Sequence, residues 1–421
     1  MKKLIAFLVF AIAAICANAQ TFEYKGLSYN ILSKTDKTCE VAENPYATGN
    51  ITVPKTVTYG DSQYTVTSIG DYAFYYCLSL TSISLPDGLT SIGYQAFYEC
   101  SSLASITLPE SLTSIGNWAF AFCTCLASIT LPESLTSIGD NAFWGCTSLN
   151  SITLPESLTS IGDNAFYNCE SLASITLPES LTSIGKCAFC GCSSLASVTL
   201  PESLTSIGDN AFDSCTSLTS ITLPQSLTSI GDWAFSGCSS LTSITLPESL
   251  TSIGDYAFAW CYSLASITLP ESLTSIGYSA FSHCESLTEI TLPESLTSIG
   301  NWAFAFCTCL TTVNSYATNP PVCGDNNVFN AIPSDAVLHV PVGCKGDYAT
   351  ATGWSVFKTI IDDLATSGVD EIERDTETND ADGLIVVYNL QGHRMNISSR
   401  SELPTLPAGI YIINGKKQLV K

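Results

Sequence analysis

Eleven times between Thr67 and Leu310 the chain returns to one 23-residue phrase, close to SLTSIGxxAFxxCxSLxSITLPE. The isoleucines of its TSIG element fall at Ile69, Ile92, Ile115, Ile138, Ile161, Ile184, Ile207, Ile230, Ile253, Ile276 and Ile299, without one insertion or deletion. A strict period of this length means one supersecondary unit per repeat, stacked so that neighbours bury what a single unit cannot. The register predicts a solenoid, an architecture whose usual work is to present surface.

The unit from Leu103 to Cys123 shows the physics of one repeat. Leu103, Ile106 and Leu108 follow an L-x-x-I-x-L spacing, with Ser105 and Thr107 alternating around Ile106. Alternation with β-branched residues predicts a short strand, apolar side inward and hydroxyls outward. Pro109 has no N–H to give a ladder, so the strand stops there and Glu110-Ser111 turn the chain. Leu112 and Ile115 form a second short extended piece closed by Gly116. Ala119, Phe120 and Cys123 then suit a single helical or 3₁₀ turn. Stacking aligns these positions into Leu, Ile, Ala, Phe and Cys columns, and full burial of each Leu, Ile or Phe is worth roughly 1.5–3 kcal/mol before entropy is subtracted. At a strand spacing of ~4.8 Å, eleven rungs predict an arc on the order of 50 Å.

The strand, the Leu-Pro turn and the AFxxC element together resemble the leucine-rich repeats of BspA-like bacterial surface proteins. That resemblance implies a curved α/β leucine-rich-repeat solenoid on a secreted or surface-anchored protein. It also implies adhesion to host matrix, host cells or other bacteria.

Outside the repeats, Met1–Ala19 reads as a secretory signal: Lys2-Lys3, the apolar run Leu4 to Ile15, then Ala17-Asn18-Ala19 at the cleavage site. Bulky Ile15 before Cys16 argues against a lipoprotein. Residues 20–63 read as an N-terminal cap, 64–313 as the solenoid, 314–362 as a C-terminal cap and acidic 363–383 as a linker. In the C-terminal cap Leu338-His339-Val340-Pro341 copies the repeat strand, and Trp354, Phe357 and Ile361 are spaced to cover the last rung from one helical face. The tail, 384–421, contains two short strands, Leu384–Leu390 and Gly409–Ile413. It resembles the sorting domains of proteins exported by the type IX system, through Val387-Tyr388-Asn389-Leu390-Gln391-Gly392, Leu406 to Ile412 and the closing lysines Lys416, Lys417 and Lys421. This implies export to the cell surface or outer-membrane exterior.

The net charge of −23 becomes −25 once the signal is removed, with 13 basic against 38 acidic residues. Such an excess disfavours nucleic acid and anionic lipid as partners, since both require basic residues to replace counterions. No segment after the signal approaches 18 unbroken apolar residues, so no membrane span is expected. Eleven of the 19 cysteines share one column, from Cys77 to Cys307, where the register asks for a small apolar residue. They are expected to be reduced and buried. Cys323 and Cys344, in the irregular C-terminal cap, are the candidates for a disulfide.

No nucleophile elbow, zincin, phosphate-loop or dinucleotide motif appears, and the three histidines lie in three different regions. Neither an enzyme nor a cofactor is expected. Cys187-x-x-Cys190-x-Cys192 has partial metal spacing, but Cys192 belongs to the buried column, so no metal is assigned. Glu110, Glu133, Glu156, Glu179, Glu202, Glu248, Glu271 and Glu294 should form a solvated ladder along one edge. Ser105/Thr107 and their equivalents should form a flat hydroxyl face. The residues flanking each Ala-Phe pair vary from repeat to repeat and are often aromatic. Trp118, Trp144, Trp233, Tyr256, Trp260 and Trp302 are therefore the candidate ligand-binding residues, for a host matrix or cell-surface protein or a glycan. Two alternatives are a structural surface protein without a specific ligand, and a glycan-binding protein that uses the Ser/Thr face.

Overall fold

The computed structural model describes residues 20–364, 370–371, 387–388, 409–413 and 416–420. The signal segment and most of the linker and tail lie outside them. Two compact units divide the chain, the first ending at Leu241 and the second beginning at Thr242. Both are solenoid stacks of the same rung. In each, a three-residue strand such as Ser128–Thr130 is followed by the Leu-Pro turn and a two-residue strand such as Ser137–Ile138, and a string of turns closes the circuit. Neighbouring rungs pair in parallel and in register, Ser128 on Ser151 and Thr130 on Thr153, Ser137 on Ser160 and Ile138 on Ile161. Every Ser-Ile-Thr strand buries its isoleucine and exposes its hydroxyls.

The Leu, Ile, Ala, Phe and Cys columns are buried throughout. Because an identical residue one rung on must be nearly parallel, the phenylalanines stack. Phe97 and Phe120 are 5.1 Å apart at 2°, Phe166 and Phe189 5.3 Å at 6°, and in the second unit Phe281 and Phe304 5.3 Å at 4°. Offset pairs of this kind add about 0.5–1.5 kcal/mol each beyond burial. The column cysteines do more than fill space. Cys123 Sγ donates to the Phe97 carbonyl at 3.2 Å, and Cys146 and Cys169 repeat the bond on Phe120 and Phe143.

The third side of the rung differs from the expected helical turn. It is a chain of β-turns in which two residues per rung take left-handed backbone, for example Trp118 (φ 60°) and Phe122 (φ 59°). Rotating those two peptides points alternate N–H groups along the stack. Trp118, Phe120 and Phe122 donate to the carbonyls of Asp140, Ala142 and Trp144 one rung on, at 2.6–2.8 Å. A helical turn would keep these bonds within the rung. The only helix among the described residues is Lys345–Thr350, so the α component of the expected α/β class is a single short helix.

Rungs meet most closely at the TSIG glycine. A Cβ on Gly139 would lie 2.8 Å from the Asn117 backbone nitrogen and 2.8 Å from the Gly116 carbonyl carbon. Polar side chains fill the remaining backbone sites. Asp71 accepts from the Tyr94 N–H at 2.7 Å and Asp163 from Lys186 at 2.7 Å. Ser157 Oγ donates to the Leu135 carbonyl at 2.7 Å, and Thr113 Oγ1 to Thr90 at 3.0 Å.

The ends are closed differently. In the first unit Thr21–Tyr24 and Leu27–Ser33 make an antiparallel hairpin. Its second strand pairs antiparallel with Thr38–Val41, which in turn runs parallel to Ser62–Ile69. In the second unit parallel pairing continues from Thr312–Ser315 to Val337–Pro341 and then to Thr359–Leu364. Phe329 stacks on Phe304 at 5.4 Å, and Trp354 lies 5.4 Å beyond it with its indole N–H on the Pro321 carbonyl at 2.9 Å. Trp354 and Phe357 are buried, yet no helix carries them, and Ile361 is 39% exposed. Strand pairing of Thr359–Leu364 imposes a period of two, which turns Ile360 inward and Ile361 outward. Cys323 and Cys344 are both free thiols, and no bridge joins them. Within the tail, Val387–Tyr388 and Gly409–Ile413 pair antiparallel, as do Gly409–Ile413 and Lys416–Val420.

Two outcomes follow from this packing. Burial pushes the column thiols up, Cys77 to about 11 and Cys146 and Cys307 to about 12. Above the unfolded thiol pKa of about 8.5, the unfolded chain loses protons that the folded chain keeps. Stability is therefore complete below that pH and falls as pH rises toward the folded values, by about 1.4 kcal/mol per pH unit for each thiol. Denaturant midpoints measured from pH 7.5 to 10.5 should fall steeply, and replacing three column cysteines with alanine should flatten the slope. In the same assay at neutral pH, Gly139→Ala should lose about 1–3 kcal/mol, because backbone rather than a flexible side chain must move.

Candidate functional site

The variable aromatic positions occupy three columns on the turn side, the second, fifth and sixth residues after the TSIG glycine. The second and sixth are the left-handed positions. All 22 of them, from Tyr72 and Tyr76 to Trp302 and Phe306, have positive φ, and only Gly145, Gly191 and Gly237 are glycine. Five of the six candidates, Trp118, Trp233, Tyr256, Trp260 and Trp302, stand at such positions. Trp144 stands in the fifth-residue column. All six are half-buried.

In the first unit the rings form one connected surface. Tyr72 contacts Tyr75 and Tyr94 at 5.6 and 5.4 Å, Tyr75 contacts Tyr98 at 5.2 Å, and Tyr98 contacts Trp118 and Phe122 at 6.1 and 5.5 Å. Trp118 stacks on Trp144 at 5.1 Å, and Trp144 meets Tyr167 at 4.5 Å. The next two rungs hold Cys187, Cys190 and Gly191, then Asn210, Asp213 and Ser214, and the aromatic run stops. Trp233 follows with Ser236 and Gly237 as its column neighbours. In the second unit Tyr256 stacks on Trp260 at 6.1 Å and 6°, Trp260 on His283 at 6.0 Å, His283 on Phe306 at 4.5 Å, and Trp302 on Phe306 at 6.1 Å. The candidates thus belong to separate aromatic groups rather than to one array.

Part of the variation is fitted packing. Where the fifth position is Ala, as at Ala121, Ala259 and Ala305, both flanking positions are aromatic. Where it is Trp144 or Tyr167, they are Asn or Gly. Phe122 leans over Gly145, where a Cβ would meet the ring at 2.8 Å.

Electrostatics separate the two kinds of polar group. Burial raises the phenols of Tyr72, Tyr75, Tyr76 and Tyr98, with Asp71 or Glu99 adding to the shift, and Tyr76 reaches about 12. They remain neutral hydrogen-bond donors. Cys190 donates to Asp213 at 3.6 Å, and burial raises both groups. Cys192 instead turns inward to the Phe166 carbonyl at 3.2 Å. Among the described residues no group of three or more His, Cys, Asp or Glu is placed to hold a metal ion, and no helix is long and apolar enough to cross a membrane. The Glu ladder is exposed, and neighbouring members meet through the backbone, Glu156 N–H on Glu133 at 3.2 Å.

Two features escaped the sequence reading. The Asp/Asn residue after the TSIG glycine is a rung-to-rung acceptor, and the variable columns are left-handed. The second left a trace: Asn141, Asn164, Asn168 and Asn210 recur in the same columns as Gly145, Gly191 and Gly237, and these are the residue types that best tolerate positive φ.

The chain matches the BspA type leucine rich repeat region model in six copies, over residues 50–172, 159–259 and 205–330. A leucine-rich repeat protein from Bacteroides ovatus has a similar solved structure, at 29% identity and a TM-score of 0.56, covering 80% of this chain and 97% of that one. The pneumococcal vaccine antigen PcpA matches with a TM-score of 0.52 at 22% identity, over 82% and 99% of the two chains, and shows the shared fold. No curated protein matches. Matched repeats over residues 50–330 and the rung geometry agree, and the chain belongs to the BspA-type leucine-rich-repeat family.

Proposed function

We propose that this is an exported recognition or adhesion protein that binds a host or bacterial protein or glycan through its turn-side aromatics, without covalent chemistry. One observation carries the reading. Nine Tyr, Trp or Phe residues sit in left-handed backbone at positions where other rungs hold Asn, Ser or Gly. Left-handed backbone costs about 1–2 kcal/mol for an ordinary L-residue, less for Asn and nothing steric for Gly. The fold therefore does not call for bulky rings there, and their packing on one another only partly offsets the strain. Strain that the fold does not require is a mark of functional surface. Family membership and the Bacteroides ovatus likeness support the same reading.

The exposed Ser-x-Thr columns favour a second reading, a neutral hydroxyl face for glycans. Display at the cell surface, through the signal segment and a type IX sorting tail, belongs to the proposal as well.

Changing Trp118, Trp260 and Trp302 together to Asn should leave thermal unfolding within a few degrees of the parent, since the repeat already uses Asn in these columns. In a screen of the mature chain against matrix proteins, mucins and glycans, the same change should weaken a positive interaction at least tenfold. Undiminished binding would move the site to the hydroxyl face, and no binding at all would favour a structural surface protein. Deleting 384–421 should leave the unfolding of the repeats nearly unchanged while the protein accumulates in the periplasm; normal surface exposure of the truncated chain would remove the sorting role.

A further inference from the structure

Between Lys55 and Lys345 the chain holds 23 acidic residues and one basic residue, Lys186. Lys186 is already paired with Asp209 at 3.0 Å. The repeats thus present carboxylates almost without cations of their own. The N-terminal cap shows how such a cation sits when one is present, with Lys37 Nζ 5.2 Å from the centre of the Tyr64 ring and Lys25 Nζ 5.4 Å from that of Tyr24.

The first two rungs offer the same chemistry without an internal cation. Tyr72, Tyr76 and Tyr94 are 39%, 45% and 38% exposed. Their rings do not form a flat platform: Tyr72 meets Tyr94 at 79° and Tyr75 at 82°, and Tyr75 meets Tyr76 at 66°. Glu43 and Asp71 act on the Tyr72 phenol, and the Tyr76 phenol is hydrogen-bonded to the Glu99 carboxylate. Inclined aromatic faces with carboxylates at the rim attract a cation both through the ring quadrupole and through full negative charge. A flat stack, such as Trp260, His283 and Phe306 at 13° and 9°, instead suits a planar or sugar-like surface.

We propose that Tyr72, Tyr76 and Tyr94, rimmed by Glu43, Asp71 and Glu99, bind lysine or arginine side chains of a basic polypeptide segment. This rests on the aromatic-surface reading above and gives the ligand chemistry for one of its groups.

The experiment uses the mature chain and fluorescent ten-residue oligolysine and oligoarginine peptides, with oligoglutamate and a neutral oligosaccharide as controls, at low and physiological salt. Tyr72→Asn with Tyr76→Asn preserves a residue type that the repeat tolerates at positive φ, and thermal unfolding verifies the fold. The basic peptides should bind, and the double variant should weaken them about tenfold, in keeping with one or two cation–π contacts. Neutralising three ladder acids (Glu110→Gln, Glu133→Gln, Glu156→Gln) should weaken them less than twofold. Equal losses in the two variants would show diffuse attraction to a polyanion and overturn the site. Binding of the oligosaccharide but not the peptides would also overturn it, while leaving the recognition reading in place. Absence of any ligand both here and in the wider screen would remove that reading too.

Discussion

Backbone contact between successive rungs is the constraint on which each stack depends. At Gly139 there is no room for even a methyl group, because the neighbouring rung's backbone lies where a Cβ would be. This closeness allows the strands to pair in register and the turn-side N–H groups to reach the next rung at 2.6–2.8 Å. Once it is set, every inward column inherits one translation. Stacked phenylalanines and repeated thiol-to-carbonyl bonds follow from that translation rather than from separate local choices.

The same geometry divides the side chains into those with a structural task and those free to vary. Asp71, Ser157 and Thr113 look like ordinary surface residues, yet each satisfies a backbone group on an adjacent rung. Buried peptide groups left unpaired are costly, so these polar columns are held nearly as constant as the leucines. The second, fifth and sixth positions after the TSIG glycine carry no such duty. Only mutual fit restrains them, as when Phe122 requires Gly145 beneath it. Recognition chemistry can change there without disturbing the stack.

Charge gives this freedom a direction. A surface with one lysine across nearly the whole repeat region cannot neutralise itself, and its exposed tyrosines add acceptor faces to its carboxylates. Steering of cationic partners is long-ranged and falls with salt, whereas ring contacts act only at close approach. The two together allow fast encounter with many basic partners and selective retention of a few.

Much of this was legible in the residues themselves. A fixed period, Leu-Pro strand ends and the Phe and Cys columns determine the rung, its register and its core, because burial and steric exclusion act on every copy alike. The reading of the third side as a helical turn failed at Trp118 and Phe122, because backbone handedness there is chosen by hydrogen bonds to another rung, 22 residues away. The end of the second unit failed for a related reason: Trp354, Phe357 and Ile361 have helical spacing, but pairing with Val337–Pro341 places Ile361 on a strand. The aromatics were visible as a pattern, whereas their grouping and strain were not. Sequence alone determined what repeats and what is buried; tertiary structure decided which peptides turn left-handed and which rings touch, because both depend on contacts between rungs.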